Sequence, residues 1–478
     1  MLKCASIGKA FVPGRRRRQR MVVVVVTLLL LGFVLIATEQ LTNVNKAAVA
    51  VVVGTAVWVV CICYGTDFVM SQHPRDYMSF LDGAASTPSA AMRFIADNVF
   101  IGYLGGAAEI ALFLIATMTI VEILQNNGCF DFISQLLRTR SSAKMLWVLS
   151  AVTLLISANL DNLTTTVMML VIMRGVVKPR RQRMLLGSAI VISANCGGAF
   201  TVIGDSTGLV LWNASAVTAT DFSMSLVLPC LAAWALPVWA IGRSLPHRLD
   251  TEWVTMPYRG DDTNLRVWQR LVMLFVGIGG LWFIPTFHNI TRLSPFLGAL
   301  CVVSILWVVN EVFNRRLMRT DMMTSRRVPR ALQYGTMQMI LYVIGIMLAL
   351  GLIRETGVTE QLFAFAQNSY GGVWLAGLIA GVVSCFLESF ATAMSMITVV
   401  DTEVIGLLSN PDYMQNGAYW KVVAYATAVC GNIFCWGSIS GLALTRMERV
   451  SFAWYVRNVG VKVLAGVVVG FGVLYFAI

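Results

Sequence analysis

Apolar residues in this chain come in long, nearly unbroken runs. A run of about 18 residues or more is long enough to cross the hydrocarbon core of a bilayer as a helix. Eight uninterrupted runs predict spans at 21–38, 47–64, 99–123, 222–242, 269–287, 294–313, 333–353 and 455–477. Four further apolar segments are broken by polar or glycine-rich residues: the pair 145–158/162–175, the segment 184–218, the pair 373–386/390–408, and the segment 420–445. The pattern predicts an all-α polytopic membrane protein.

The order of these elements repeats. After a basic N-terminal extension (1–20), residues 21–242 give three helices, a re-entrant hairpin, a discontinuous helix and a final helix. A linker (243–268) follows, and residues 269–478 give the same series. Cys196-Gly197 and Gly208-Leu209 bracket the first broken helix, as Cys430-Gly431 and Gly441-Leu442 bracket the second. If each hairpin re-enters on one side, each half crosses five times, and the second half lies upside down relative to the first. Two inverted repeats with paired broken helices place a binding site near the midplane, where exposed backbone lines a cavity.

Composition agrees and adds an orientation. With 57% hydrophobic residues, only 13% charged and a mean hydropathy of +0.74, no soluble domain is expected. The net charge of +12 therefore speaks to topology and not to nucleic acid. Placing the first hairpin's open end in the cytoplasm gathers Arg138, Arg140, Lys144, Arg174, Lys178, Arg180, Arg181 and Arg183 there, with the arginines of the linker and of the 314–332 and 446–462 loops. The other side receives Arg75, Arg93, Arg292, Arg354 and Lys421, so the positive-inside rule puts the C-terminus outside. One feature conflicts: Arg15 to Arg20 is a basic run before a first span that would enter from outside. Either translation starts at Met21 or an early helix is miscounted. The scattered cysteines read as small core residues, and His73, His247 and His288 lie in or beside loops, leaving no metal cluster and no nucleophile–base pair for an enzyme.

The chemistry sits in polar islands inside the broken segments. Asp161, Asn162, Thr164, Thr165 and Thr166 form the tip of the first hairpin. Asn195, Gly197, Gly198, Thr201, Asp205, Ser206 and Thr207 form the break of the first discontinuous helix. In the second half the matching islands are Glu388, Ser389 and Thr392, then Asn432, Ser438 and Ser440. An ionisable residue at membrane depth costs about 2.5 kcal/mol or more, so its default reading is functional. Carboxylate, amide and hydroxyl oxygens are hard ligands that suit small cations and protons. Glu109 is a candidate proton relay within 99–123; Glu122 and Glu39 read as solvated helix ends.

Ser157-Ala-Asn-Leu-Asp-Asn-Leu-Thr-Thr-Thr166 and Ser193-Ala-Asn-Cys-Gly-Gly-Ala-Phe-Thr-Val-Ile-Gly-Asp205 resemble the NhaD family of sodium/proton antiporters. That family lies within the ion-transporter superfamily of arsenite carriers and divalent-anion symporters. Ala116-Thr-Met-Thr-Ile-Val-Glu122 and Met447-Glu-Arg-Val-Ser-Phe-Ala-Trp-Tyr455 also fit its patterns. The second half departs from them. Leu387-Glu-Ser-Phe-Ala391 stands where the family carries Val-Asp-Asn-Val-Pro, and Cys430-Gly-Asn432 where it carries a Gly-Gly-Ser element. The first broken helix departs too, continuing Gly204-Asp-Ser-Thr-Gly-Leu209 in place of Gly-Asp-Val-Thr-Thr-Thr. The resemblance implies an elevator motion against a homodimeric scaffold.

The resulting expectation is exchange of sodium or lithium for protons, with sodium held at Asp161 and Asp205 near Glu388. Carboxylates crowded in a low-dielectric site cannot all stay ionised, so proton and cation compete for the same oxygens. Transport should fall at acid pH. No cofactor is expected, and no partner beyond the bilayer, the ions and a second copy. An anion carrier for a dicarboxylate or arsenite, and a non-transporting membrane sensor, are the alternatives. A bacterial inner membrane is the expected location, with an organelle envelope as the other option.

Overall fold

The computed structural model describes residues 13–42, 44–137, 139–251, 265–314, 330–360, 362–363, 372–400 and 410–478. Among these the chain is helical, with two isolated β-bridges, Ser141–Arg248 and Val177–Thr251, tying loops together at one end. The first half contains α1 (Pro13–Ala37), α2 (Lys46–Cys63), α3 (Pro88–Asn126), α4 (Ser142–Ser157), α5 (Asn162–Val176), α6 (Arg180–Ala199), α7 (Ser206–Asn213) and α8 (Ala219–Gly242). The second contains α9 (Val267–Thr291), α10 (Pro295–Phe313), α11 (Arg330–Glu355), α12 (Gly372–Ser384), α13 (Ser389–Val399), α14 (Ala418–Cys430), α15 (Ile439–Glu448) and α16 (Phe452–Ala477).

Eight of these helices are long and apolar enough to cross a membrane, and they coincide with the eight uninterrupted runs. The protein is a multi-pass integral membrane protein. Large apolar side chains such as Phe275 (79% exposed) and Phe476 (87%) face outward, which only a lipid surround tolerates on this scale. Boundaries shift modestly. The third span starts earlier than 99, running from Pro88 through a π-helical turn at Ile95–Phe100. Two short helices, Gly65–Gln72 and Pro74–Leu81, fill the connection before it. Within the basic N-terminal extension, the described residues Pro13 to Arg20 are helical and run straight into the first span as part of α1. The expected residues 401–408 of the second hairpin, Arg138, and the centre of the linker lie outside the described residues.

Helix packing is reciprocal between the halves. α2 packs on α11 while α10 packs on α3, and α4–α6, α5–α15 and α6–α15 contacts recur as α12–α14, α13–α7 and α14–α7. α8 and α16 pack against each other, as do α6 and α14. Six long helices (α1–α3, α9–α11) thus make one bundle, and the broken elements with α8 and α16 make another, joined through α11–α13 and α3–α7 contacts. At the α2–α11 crossing Gly54 lies so close to Gly345 that a Cβ would stand 2.7 Å from the Gly345 carbonyl oxygen. Trp58 Nε1 donates to the Leu348 carbonyl across the same crossing at 3.0 Å.

The breaks match contact for contact. Ser157 Oγ donates to the Ala194 carbonyl at 2.7 Å, and Ser384 Oγ donates to the Thr427 carbonyl at 2.6 Å. A Cβ on Gly204 would stand 2.5 Å from the Ser157 carbonyl oxygen, and one on Gly437 2.6 Å from that of Ser384. Both positions therefore exclude a side chain. The same contacts pair Gly198 with Gly431, since each backs onto the following Gly204 or Gly437 carbonyl at 2.7 Å. The Cys-Gly echo in the sequence is thus one residue out of register, while Gly208 and Gly441 occupy matching places.

Candidate functional site

Four half-helices begin at the breaks, and a polar residue occupies the N-cap position of each. Asp161 starts α5 and accepts from the Thr164 backbone N–H at 3.0 Å. Glu388 starts α13 and accepts from Phe390 N at 3.1 Å and Ala391 N at 3.4 Å. Ser438 starts α15 and accepts from Gly441 N at 3.1 Å. Asp205 occupies the same position on α7 with extended backbone but makes no capping bond, which leaves its carboxylate turned to other partners. Side-chain oxygens are favoured here because the first turn of a helix has unsatisfied N–H groups and a positive dipole end.

A chain of amides links these caps across the two halves. Asn195, 2% exposed on α6, donates through Nδ2 to Asn432 Oδ1 at 2.7 Å and to Ser438 Oγ at 2.8 Å. Asn162 Nδ2 lies 3.5 Å from Asn195 Oδ1 and 3.4 Å from Asp205 Oδ1. Ser206 Oγ reaches Asp205 Oδ1 at 3.4 Å, and Ser440 Oγ the Asn162 carbonyl at 3.3 Å. Asn162 thus bridges both first-half islands to the second half.

Oxygens at this centre remain unanswered. Asp161 Oδ1 and Asn162 Oδ1 are buried without a hydrogen-bond partner among the described residues, as are the hydroxyls of Thr165, Thr166 and Thr207. A buried acceptor without a donor carries a desolvation cost of about 1–3 kcal/mol, more when it is charged. A small cation relieves that cost; an anion would worsen it.

Other expected site residues have structural partners. Thr201 Oγ1 donates to the Ala158 carbonyl at 2.6 Å and accepts from Gly204 N at 3.0 Å, so it latches the break to the hairpin. Ser389 Oγ donates to the Gly437 carbonyl at 3.0 Å, stitching the second hairpin to its broken helix. Thr164 backs Asp161 through its own hydroxyl at 3.3 Å, and Thr392 Oγ1 donates to the Glu388 carbonyl at 3.1 Å. Glu109 lies away from the centre. Its Oε2 accepts from Asn213 at 2.9 Å and Ser294 at 3.0 Å, joining α3 to the end of α7 and the start of α10. Glu39, read as solvated, is 7% exposed and paired with Arg446 at 2.7 Å.

Two groups were not expected. Glu448 closes α15 with its carboxylate buried between Arg174 (3.1 Å) and Arg183 (2.9 Å), tying the open ends of the first hairpin to the second broken helix. Lys46 places a buried ammonium, unpartnered among the described residues, beside Glu388. Lysine at the start of an apolar run reads as an anchor in the headgroup layer, so only the fold reveals that its tip turns inward.

A cavity of about 820 Å³ opens between the two bundles, lined by His73, Tyr103, Asn213, Arg354, Glu355 and Thr398 among others, and by no residue of the carboxylate centre. His73 Nε2 and Glu355 Oε2 are 2.7 Å apart, and Tyr103 donates to Glu355 Oε1 at 2.7 Å. The hydrogen bond to Glu355 raises the pKa of His73 above its ordinary value.

Continuous spans wrapped around broken helices, with the breaks meeting at a buried, oxygen-rich centre, define a polytopic membrane transporter. The chain belongs to the citrate transporter family, which it matches over residues 33–430. It is 26% identical over 445 residues to sodium/proton antiporter 1 of Arabidopsis thaliana, covering 92% of this chain and 70% of that protein. Sodium/proton antiporter 2 of the same plant is 25% identical over 442 residues, covering 92% and 96%. The Na(+)/H(+) antiporter NhaD of Vibrio cholerae is 23% identical over 367 residues, covering 70% and 71%.

Proposed function

We propose that the protein exchanges sodium or lithium for protons across a membrane. The observation that carries this reading is the pair of buried, unanswered oxygens on Asp161 and Asn162, beside Asp205. Sodium, stripped of water, is held by Asp161, Asp205 and the side-chain Oδ1 of Asn162, with the hydroxyls of Thr165, Thr166 and Thr207 in support. Asn195, Asn432 and Ser438 fix the amide chain that orients Asn162. A proton competes for the same carboxylates, and one shared site couples the two flows without further machinery. Names of relatives from a plant and from a bacterium point the same way.

The family description favours a second reading, a carboxylate anion such as citrate. Four half-helix N-termini suit an anion in principle. Here Asp161 and Asp205, carboxylates of the protein itself, occupy both first-half cap positions, so the centre is negative before any cargo arrives.

The matched contacts support two inverted repeats, 21–242 and 269–478; the resemblance to the NhaD antiporters supports the broken elements moving as an elevator against the long-helix bundle of a homodimer. The loop arginines support a cytoplasmic first-hairpin opening and an extracytoplasmic C-terminus. The membrane in question is a bacterial inner membrane or an organelle envelope.

Purified protein in liposomes, with a pH-sensitive dye inside and an imposed pH gradient, tests the exchange. Sodium or lithium, but not citrate, should collapse the gradient. Collapse by citrate alone, or by no cation, refutes the proposal.

A further inference from the structure

Glu388 occupies in the second half the place that Asp161 holds in the first, since each lies four residues after a serine that anchors its hairpin (Ser384, Ser157) and each caps the next half-helix. Their surroundings differ. Asp161 leaves Oδ1 without a partner, whereas Glu388 has a cation beside it. Lys46 opens α2, where Asn45 caps the helix by accepting from Ala47 N at 2.9 Å. Its stem is partly exposed, but its ammonium nitrogen is buried without a hydrogen-bond partner among the described residues. The ammonium stands 4.7 Å from the ring centroid of Tyr342, a cation–π contact from α11.

Three charged groups among the described residues face this ammonium. Glu39, Glu388 and Arg446 act on it, from the turn after α1, the second hairpin and the end of α15. Glu39 and Arg446 are already paired at 2.7 Å. Glu388, which faces Lys46 without an ion-pair contact to it, is therefore the carboxylate whose charge the ammonium can offset. The two share a cavity of about 10 Å³ closed by Phe386, Trp436 and Leu442. That is about the room of one water centre, and no hydrated ion fits. The matching helix of the other half, α10, starts at Pro295 and carries no cation there.

We propose that the Lys46 ammonium is a tethered cation for Glu388, filling in the second half the place that transported sodium takes at Asp161 in the first. The inference rests on the cation reading above. One half then carries cargo and the other carries a built-in counter-charge, so each chain binds a single sodium. Lys46 belongs to the long-helix bundle and Glu388 to the broken-helix bundle, so the pair also bears on how the two bundles sit together. Lys46 is in this sense a positioning residue that sets cargo number.

Sodium binding to the purified full-length protein, measured at one fixed pH with radioactive sodium and with sodium-dependent melting, tests this. Wild type and Glu388→Gln should each bind about one sodium with a Hill coefficient near 1, because Glu388 is not a cargo ligand. Lys46→Met, which leaves Glu388 uncompensated, should bind about two, read as a doubled plateau of bound sodium per chain. The double variant Lys46→Met/Glu388→Gln should return to one, and Lys46→Arg should behave as wild type. Loss of sodium binding in Glu388→Gln, or a single sodium in Lys46→Met at all concentrations, overturns the proposal. If Lys46→Met does not fold, Lys46→Gln, which removes the charge but keeps a polar side chain, takes its place and should likewise bind about two. Wild-type protein that binds no sodium refutes the cation reading itself, an outcome distinct from a defect confined to the variants.

Discussion

Replacing Asp161 by Asn separates the charge at the centre from the helix cap that carries it. Asn caps a helix as well as Asp does, and it can keep the bond to Thr164 N at 3.0 Å, so the fold should be spared. What is lost is one negative charge in contact with a dehydrated cation. At an effective dielectric near 20 and about 4 Å separation a unit charge pair is worth about 4 kcal/mol. The remaining carboxylate, Asp205, offsets part of this, so about 2–4 kcal/mol of sodium binding should disappear. That corresponds to roughly a 30- to 1000-fold rise in the sodium concentration for half-maximal effect. Asp161→Ala loses the cap as well, and should melt lower by an amount equivalent to about 1 kcal/mol. Sodium titrations of melting temperature and of dye-reported proton efflux from liposomes read both quantities. An Asp161→Asn protein whose half-maximal sodium stays within about threefold of wild type would refute the assignment of Asp161 as a ligand.

Gly204→Ala and Gly437→Ala each push a Cβ onto a backbone carbonyl that cannot yield (2.5 and 2.6 Å), so both should lose at least about 1–3 kcal/mol of stability and most transport. Size-exclusion profiles and melting curves check this. Glu448→Gln removes the charge held between Arg174 and Arg183. Arg174 is 46% exposed and can rehydrate, which discounts the loss to about 1–2 kcal/mol, with sodium affinity unchanged in the binding titration. The hydrogen bond to Glu355 raises the pKa of His73, so its contribution is full below the ordinary histidine pKa of about 6.5 and fades as pH rises through its raised value. Protection from hydrogen exchange in Gly65–Leu81, taken relative to the intrinsic base-catalysed rate, should therefore fall toward alkaline pH, and His73→Gln should flatten that dependence. Transport itself should fall at acid pH in the dye assay as protons occupy Asp161 and Asp205; a rate that keeps rising toward acid contradicts shared-site competition.

Much of the fold is legible in the chain because apolar length is a local property: each of the eight spans can be read from its own residues. The hairpin and helix breaks are legible for a related reason, since carboxylates and glycines at membrane depth need a special cause. Partnership is harder to read. Thr201 and Thr165 are alike in the sequence, yet one latches a carbonyl and the other is left open, and only the tertiary approach of Ala158 decides it. Glu39 looks like a wet helix end until Arg446, far along the chain, closes over it. Lys46 is missed for the same reason, because its counter-charge belongs to the other half of the protein. Glu109 illustrates the same limit: its depth in a span is legible, while its partners Asn213 and Ser294 come from elsewhere in the chain.

The exchange of partners between α2 and α11, and between α10 and α3, sets a timetable for biosynthesis. When Gly54 enters the bilayer, the helix face that will receive it does not yet exist, because Gly345 is made about 290 residues later. At ribosomal rates of about 5–20 residues per second the first half waits roughly 15–60 s with that glycine seam bare to lipid. Closure of the α2–α11 seam is therefore a late step, and a ribosome that stalls between α10 and α11 leaves the Gly54 face without its partner.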